Sequence, residues 1–504
     1  MTQKDNPNNP HGLPGAGGGR GPPAQPVHGE DRHGGSRDEA GGPKTMGRTA
    51  GLLRRGGALA VSLLVAAACG SSLPGDSGTP PSPPVIESFT SADSAVHVGE
   101  STQLTAVFSG DTASIADIGP VESGVPVATP ALAGETAFTL TVRRGPQQVE
   151  ARLSIAATYR DRFRQLAPSP VAYTQHVAMA LADGGALVMG GNTSESPNVP
   201  DASSSHRFDP VAETVSPGPQ LAFSANAGFT QPIELEDGGF LLVGGGINSG
   251  TQLGGIDGLR ATQVFDATTT AFHRAGDLNF DHDLGGTATA LGDGSVLVAG
   301  GESPTIERYD QASEQWTAAG DMPTARRGHT ATRLADGRVL IAGGIVCCSP
   351  QLVSGTAEIY DPASGGFQPT GSLATARGFH TATLLADGRV LVAGGLLGGQ
   401  AFAASAEIYD PSTGQFSPIG TMQVSRIGHS AIRLTDGRVL VLGGMQASEP
   451  TDIFDPAADR WLPGPMLEPA FGASTVTLLR NGKVLVFGGE DAFGAPVPTV
   501  MLFE

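Results

Sequence analysis

Short apolar runs that end in a glycine pair recur along the second two thirds of the chain. In each of seven units an Asp-Gly or Asn-Gly turn precedes such a run, as in residues 336–344, and the pair begins seven residues after the turn. The turns begin at Asp183, Asp237, Asp293, Asp336, Asp387, Asp436 and Asn481, and the pairs at Gly190, Gly244, Gly300, Gly343, Gly394, Gly443 and Gly488. The mean period of about 50 residues predicts a protein built from seven similar units.

Each unit contains four segments with strand character. In one unit they are residues 329–334, 338–344, 357–361 and 365–371, separated by turns or loops. Apolar and β-branched runs bounded by Gly, Asp and Pro predict strands. The third and fourth segments carry aromatic residues seven positions apart, Phe265 and Phe272, Tyr309 and Trp316, Tyr360 and Phe367, Tyr409 and Phe416, Phe454 and Trp461, with Phe208 and Val215 at the same spacing. We therefore predict one four-stranded antiparallel sheet per unit.

The seventh unit has only three such segments before the sequence ends at Glu504. Upstream of the first unit, Phe163 lies 13 residues before His176, and the same distance separates Trp316 from His329. Phe163 therefore occupies a fourth-strand position without a unit of its own. We predict that residues 159–167 complete the seventh sheet and close the ring.

The motif GHTATRLADGRVLIAGG at residues 328–344, with EIYDP and a later aromatic, resembles the kelch repeat of kelch proteins and of the central domain of galactose oxidase. The resemblance covers residues 158–504 and implies an all-β fold, a seven-bladed β-propeller. Sheets packed radially around one axis bury faces that a single sheet would expose. Within residues 85–157, four alternating segments (86–91, 101–110, 136–144 and 149–157) resemble an immunoglobulin-like domain.

The amino-terminal region predicts export. Residues 1–45 are too polar to form a core, so we expect them to be disordered or a misassigned start, with Met46 as the true start. Residues 46–68 have the basic and apolar regions of a signal peptide. The following Cys69 resembles the lipidated cysteine of a bacterial lipoprotein, with cleavage without lipidation as the alternative. Residues 69–84 read as a Gly/Ser/Pro linker. We expect an envelope lipoprotein at the outer membrane or cell surface, or otherwise a secreted protein.

The net charge limits the classes of binding partner, and the cysteine content limits the kinds of disulfide or metal site. The formal net charge is −19 and the pI about 4.9, which argues against nucleic acid. We expect a protein or glycan partner at the cell surface, and membrane contact only through the lipid. Three cysteines exclude a disulfide framework or a CxxC zinc site. Cys347 and Cys348 are adjacent, and a strained disulfide, free thiols, and redox or metal chemistry are all considered.

The loops between the second and third strands vary most in length and are the candidate binding surface. They are residues 192–205, 246–260, 345–355, 396–404 and 490–498. The same end of the sheets carries a repeated Arg-x-x-His, in which candidate ligand contacts are Arg326, Arg377, Arg426, His329, His380 and His429. The favoured alternative is internal: the arginines pair with the third-strand residues Glu307, Glu358 and Glu407. Three imidazoles within about 2.1 Å of one ion are not expected from separate sheets.

Three functions are compatible with these patterns. The first is a noncatalytic binding or adhesion module, with no cofactor and no metal. The second is a galactose-oxidase-like or other carbohydrate-active enzyme, for which the resemblance implies copper held by tyrosine and histidine. Of five tyrosines, Tyr309, Tyr360 and Tyr409 fill the repeated third-strand position, so that machinery cannot be transferred residue by residue. The third is a structural part of an envelope assembly. We expect no enzymatic activity.

Overall fold

The computed structural model describes residues 82–174, 176–193, 204–223, 232–244, 260–282, 285–301, 303–346, 352–444, 450–468, 472, 474–491 and 494–504. Within these ranges the chain is strand and turn, apart from a single turn of 3-10 helix at Gly398–Gln400. The prediction of an all-β chain is confirmed.

Two sheets with a common core precede the repeats. One sheet contains Val85–Ser91, Gln103–Ser109 and Val127–Ala128, and the other contains Ala95–His97, Thr112–Ile115, Gly119–Pro120, Thr136–Arg144 and Gln147–Thr158. Buried and exposed residues alternate along Thr136–Arg144 and Gln147–Thr158. Phe89 and Leu104 from the first sheet meet Leu140 and Ile155 from the second in one cluster. The period-two pattern therefore places one face of each sheet in a shared interior.

Seven four-stranded antiparallel sheets follow within the described residues, and each has its strands in the spatial order one, two, three, four. Their strands are Val177–Ala180, Ala186–Met189, Ser205–Asp209 and Thr214–Pro217; Ile233–Glu234, Phe240–Val243, Thr262–Asp266 and Ala271–Arg274; Thr287–Ala290, Val296–Ala299, Thr305–Asp310 and Gln315–Asp321; Thr330–Arg333, Val339–Ala342, Ala357–Asp361 and Gly366–Pro369; Thr381–Leu384, Val390–Ala393, Ser405–Asp410 and Gln415–Thr421; Ser430–Arg433, Val439–Leu442, Pro450–Asp455 and Arg460–Met466; and Thr475–Leu478, Val484–Phe487 and Val500–Phe503 with Phe163–Gln165.

The second strand of every sheet is buried on both faces, as in Val339–Ala342 and Val390–Ala393. Neighbouring sheets cover both of those faces, which explains why these strands read as continuous apolar runs. First strands of successive sheets contact one another from the second sheet to the seventh, and the first strand of the seventh contacts that of the first. Buried residues of the first and second sheets share one apolar cluster, which includes Met179 and Leu242. The first strands therefore line the inner edges of a closed arrangement of sheets.

Cross-strand aromatic pairs join the third and fourth strands of the sheets. Tyr409 lies opposite Phe416, with ring centroids 4.8 Å apart, and Phe454 lies opposite Trp461 at 5.2 Å. The seven-residue spacing thus reflects a hairpin in which the two aromatic side chains face each other.

The strand Phe163–Gln165 is the fourth strand of the seventh sheet. Phe163 pairs with Phe503, and their ring centroids lie 5.3 Å apart. The buried Glu504 carboxylate next to this pair accepts hydrogen bonds from Arg162 Nη2 at 2.7 Å and Lys483 Nζ at 3.1 Å. This is the pairing that the aromatic spacing predicts, and an ion cluster reinforces it.

The two-sheet region packs against the turns of the sixth and seventh sheets. Tyr159 donates its hydroxyl hydrogen to the carbonyl of Gly482 at 2.5 Å and stacks near Phe503, with centroids 5.5 Å apart. Thr435 donates to the carbonyl of Ala133. Buried residues of the two-sheet region and of the sixth and seventh sheets belong to one apolar cluster. The two regions therefore share a folded core.

Candidate functional site

The variable loops and the segments that lead into the first strands meet at one end of the sheets. Arg326–Arg327 pairs with Ile345–Val346, which pairs in turn with Leu352–Val353. Tyr173–Thr174 pairs with Asn192–Thr193 in the same way. The described parts of the candidate binding loops are therefore anchored by main-chain hydrogen bonds. Cys69, Cys347 and Cys348 lie outside the described residues.

The three repeated arginines are buried. Arg377 is fully buried; its Nη1 donates to the carbonyls of Gly394 at 2.9 Å and Ser405 at 2.8 Å, and its Nη2 donates to Glu407 Oε1 at 3.1 Å. Arg326 makes the matching contacts with Gly343, Thr356 and Glu358. These guanidiniums bind the glycine pair and third strand of their own sheet. Their burial gives no support to a ligand-contact role.

Of the three expected acidic partners, Glu358 and Glu407 bind Arg326 and Arg377, whereas Glu307 binds a histidine. Arg426 pairs with Asp452 at 3.0 Å, because aspartate replaces glutamate in the third strand of the sixth sheet. Glu307 accepts instead from His282 Nε2 at 3.2 Å, while His282 Nδ1 contacts the carbonyl of Gly300 at 2.8 Å. His282 thus makes in the third sheet the contacts that the arginines make in the fourth to sixth, although it lies one residue earlier in the repeat. Burial would raise the pKa of Glu307, but hydrogen bonds from His282 and from the amides of Asn279 and Phe280 outweigh it and lower that pKa.

The repeated histidines link neighbouring sheets. His380 Nε2 shares a hydrogen bond with Thr330 Oγ1 of the preceding sheet at 3.1 Å. The same bond joins His329 to Thr287, His429 to Thr381, and His176 to Thr475. The last of these connects the seventh sheet to the first. These four imidazoles therefore lie at four separate junctions around the inner edges, one at each of them.

Burial lowers the pKa of each of these histidines, to about 4 for His176 and about 3 for His329, His380 and His429. They are neutral at physiological pH. No group of three or more His, Cys, Asp or Glu side chains able to hold a metal occurs in the described ranges.

Sequence reasoning missed Phe379. It lies directly before His380, at the position that Gly328 and Gly428 occupy in the flanking sheets, and shares their positive φ, at 51°. Left-handed backbone is costly for an aromatic residue. The Phe379 side chain is nevertheless 38% exposed, and its ring lies against Gly328. The missed signal is an aromatic residue at a repeat position that is glycine in the third, fourth and sixth sheets, at Gly285, Gly328 and Gly428.

Tyr173 and His206 are in a contact that the sequence does not predict. The Tyr173 hydroxyl lies 2.5 Å from His206 Nδ1, and both side chains are buried. The two residues are 33 positions apart; Tyr173 lies in a segment that pairs with Asn192–Thr193 after the second strand, and His206 lies in the third strand.

Comparisons with known proteins agree on the architecture. A Kelch motif matches residues 377–423, which span the fifth sheet. A fungal alcohol oxidase of the AA5 family, solved in complex with copper, is similar in structure with a TM-score of 0.53 and 17% sequence identity; the match covers 68% of this chain and 75% of the oxidase chain. No curated protein matches the sequence. Together the motif and the structural likeness support a kelch-type β-propeller.

Proposed function

We propose that this protein is a noncatalytic binding module at the bacterial cell surface, a seven-bladed kelch-type propeller that follows an immunoglobulin-like domain. Kelch-type propellers suit protein interaction, because a rigid ring presents variable loops at one end. The observation that carries the proposal is Phe379. An exposed aromatic side chain in an unfavourable backbone conformation, at the end that bears the variable loops, is a contact surface for a protein or glycan partner.

Replacing Phe379 with glycine separates binding from folding. Phe379→Gly relieves the left-handed strain, so we expect the free energy of unfolding to change by no more than about 1 kcal/mol. We expect the same variant to lose most of its partner in pull-downs from envelope extracts or its signals on a glycan array. Val211→Ser is the matched control, because Val211 is 93% exposed on a turn at the opposite end. Full retention of the partner by Phe379→Gly would contradict this role.

Export and lipidation at Cys69 belong to the same proposal. In the described part of the chain, no helix is long and apolar enough to cross a bilayer. A mature protein that begins at a diacylated Cys69, measured by intact-mass spectrometry of membrane fractions, is the expected result. Cys69→Ser should release the protein from the membrane fraction if the lipid is the anchor.

Because the structure is similar to that of an oxidase solved with copper, a copper-dependent enzyme is the alternative function. The residues near the Tyr173–His206 pair do not fit a copper site, because the Tyr173 hydroxyl is hydrogen-bonded to His206 and His176 Nε2 is bound to Thr475. Tightly bound stoichiometric copper, measured by elemental analysis of purified protein, would nevertheless overturn the noncatalytic proposal. Stoichiometric copurification with one envelope protein would instead favour a structural role.

A further inference from the structure

An open acidic cleft of about 1090 Å³ lies between the second and third sheets, at the end that carries the Asp-Gly turns. Its walls include the turn residues Asp237 and Asp293, the third-to-fourth-strand residues Asp310 and Glu314, and Tyr309. The variable loops considered above lie at the other end of the sheets. The cleft is therefore independent of the proposed function.

At two other junctions between neighbouring sheets, an arginine side chain occupies the corresponding place. Between the fifth and sixth sheets, the Arg389 guanidinium donates to Asp387 Oδ2 at 2.8 Å, to Asp459 Oδ1 at 2.9 Å and to the carbonyl of Pro456 at 3.0 Å. Between the sixth and seventh, Arg438 joins Asp436 to Asp161 in the same way. In both cases a guanidinium links the turn aspartate of one sheet to an acidic residue of the next.

The second and third sheets have the same acidic residues without the arginine. Asp237 corresponds to Asp387, and Glu314 corresponds to Asp459, since each of the latter pair lies two residues before a fourth-strand tryptophan and has a positive φ, 53° and 46°. Gly239 stands where the fifth sheet has Arg389. Among the described residues, the Glu314 carboxylate accepts one hydrogen bond, from His273 Nε2 at 2.8 Å. The junction thus retains the acceptors of a guanidinium site and lacks the guanidinium.

A buried hydroxyl in the same cleft has no partner among the described residues. Tyr309 lines the cleft and is fully buried, and its hydroxyl makes no hydrogen bond to any residue that the structure describes. The corresponding Tyr409 is hydrogen-bonded to Thr370 Oγ1 at 2.9 Å. Three residues after the fourth-strand aromatic, Ala275 replaces Thr370 and removes that partner. Burial raises the pKa of Tyr309, and the nearby carboxylates of Glu314 and Asp237 raise it further. An unpartnered buried hydroxyl is costly unless a ligand satisfies it.

The geometry points to an organic cation. A metal ion would need clustered ligands, and the described residues contain no group of three or more suitable side chains. Arg308, the arginine within the cleft, is already paired with Asp293. We propose that this cleft binds the guanidinium of an arginine presented by a partner polypeptide, with Asp237 and Glu314 as acceptors. Planar, bidentate recognition of carboxylates favours arginine over lysine.

The test uses Nα-acetyl-arginine amide titrated into the full-length protein, with binding followed by calorimetry or NMR. We expect saturable binding, and the uncharged isostere Nα-acetyl-citrulline amide should bind about tenfold more weakly because it lacks the charge. Asp237→Asn should weaken arginine binding about fivefold or more. Asp183→Asn is the matched control, because it alters the equivalent turn of the first sheet, where Arg207 is already the partner, and it should leave binding unchanged.

Tyr309→Phe provides a second test at the bottom of the cleft. It removes an unsatisfied hydroxyl, so the midpoint of unfolding should stay the same or rise, while arginine affinity falls about threefold. Equal binding of the arginine and citrulline amides, unchanged affinity in Asp237→Asn, or absence of saturable binding would each overturn the proposal. None of these outcomes bears on the loop surface around Phe379, so the two proposals fail separately.

Discussion

At the level of single residues, the glycine pairs have two distinct structural roles. The first glycine of a pair has positive φ and lies under a histidine of the next sheet; a Cβ at Gly343 would stand 2.8 Å from the His380 ring. The second glycine lies beside the histidine of its own sheet; a Cβ at Gly344 would stand 2.9 Å from the Cβ of His329. Side chains would collide in both places, so the backbone conformation and the close approach each demand glycine.

The histidines packed on those glycines make stability depend on pH. Each is buried neutral, with a pKa of about 3 to 4 against 6.5 for the free side chain. The unfolded chain therefore takes up protons that the folded chain excludes, and the stability present above pH 6.5 is lost as pH falls. Between pH 6.5 and 5 we expect a loss of about 1.6 kcal/mol per histidine.

Urea unfolding measured at half-unit intervals of pH checks this expectation. His380→Gln should flatten the slope by about one proton, because glutamine can keep the contact with Thr330 but does not titrate. A free energy of unfolding that stays constant from pH 6.5 to 5 in the unsubstituted protein would contradict the neutral, buried state.

At the level of elements, the fourth, fifth and sixth sheets each contain a buried arginine that ties the segment before the first strand to the third strand. Removing Arg377 would leave Glu407 buried without its charged partner, which typically costs 3 to 5 kcal/mol. Arg338 pairs with Asp336 at an exposed turn, with 43% of the arginine side chain accessible. Arg338→Ala should cost less than about 1 kcal/mol.

Thermal and urea unfolding of the Arg377→Ala and Arg338→Ala variants measures the difference in their free energies of unfolding. The prediction requires the buried substitution to be several times more destabilising than the exposed one. Equal effects would mean that the Arg377 network contributes no more than a surface ion pair.

At the level of the whole molecule, the ends of the repeat region are joined through one strand and one carboxylate. Burial would raise the pKa of Glu504, but hydrogen bonds from Arg162 and Lys483 dominate and lower it to about 2. The bound carboxylate therefore stabilises the fold above pH 4.5, and that contribution is lost as pH falls towards 2. Glu504→Gln should destabilise the protein by about 2 to 4 kcal/mol.

Hydrogen exchange locates that effect. Amides of Val500–Phe503 and Phe163–Gln165 should lose protection together in Glu504→Gln, because they pair with each other. Glu234→Gln is the control, since its pair with Arg480 is exposed and worth less than about 1 kcal/mol. Loss of protection spread evenly over all sheets would show that Glu504 is not specific to closure.

Much of the architecture could be predicted from local patterns. Turn residues, the seven-residue aromatic spacing and the period of the glycine pairs are properties of a hairpin or of one sheet, and they were visible in the sequence. The candidate site was less predictable. Phe379 was missed because its significance lies in a comparison of repeat positions and in a positive φ.

The sequence by itself determined the β-strands, the repeat and the strand that pairs with Val500–Phe503, because each follows from side-chain spacing within a hairpin or between repeats. Only the tertiary structure decided which side chains meet across junctions: the histidine–threonine bonds, the Tyr173–His206 pair, and the cleft with its unpartnered Tyr309. Those contacts depend on how adjacent sheets pack, and residues brought together by packing carry no fixed separation in sequence.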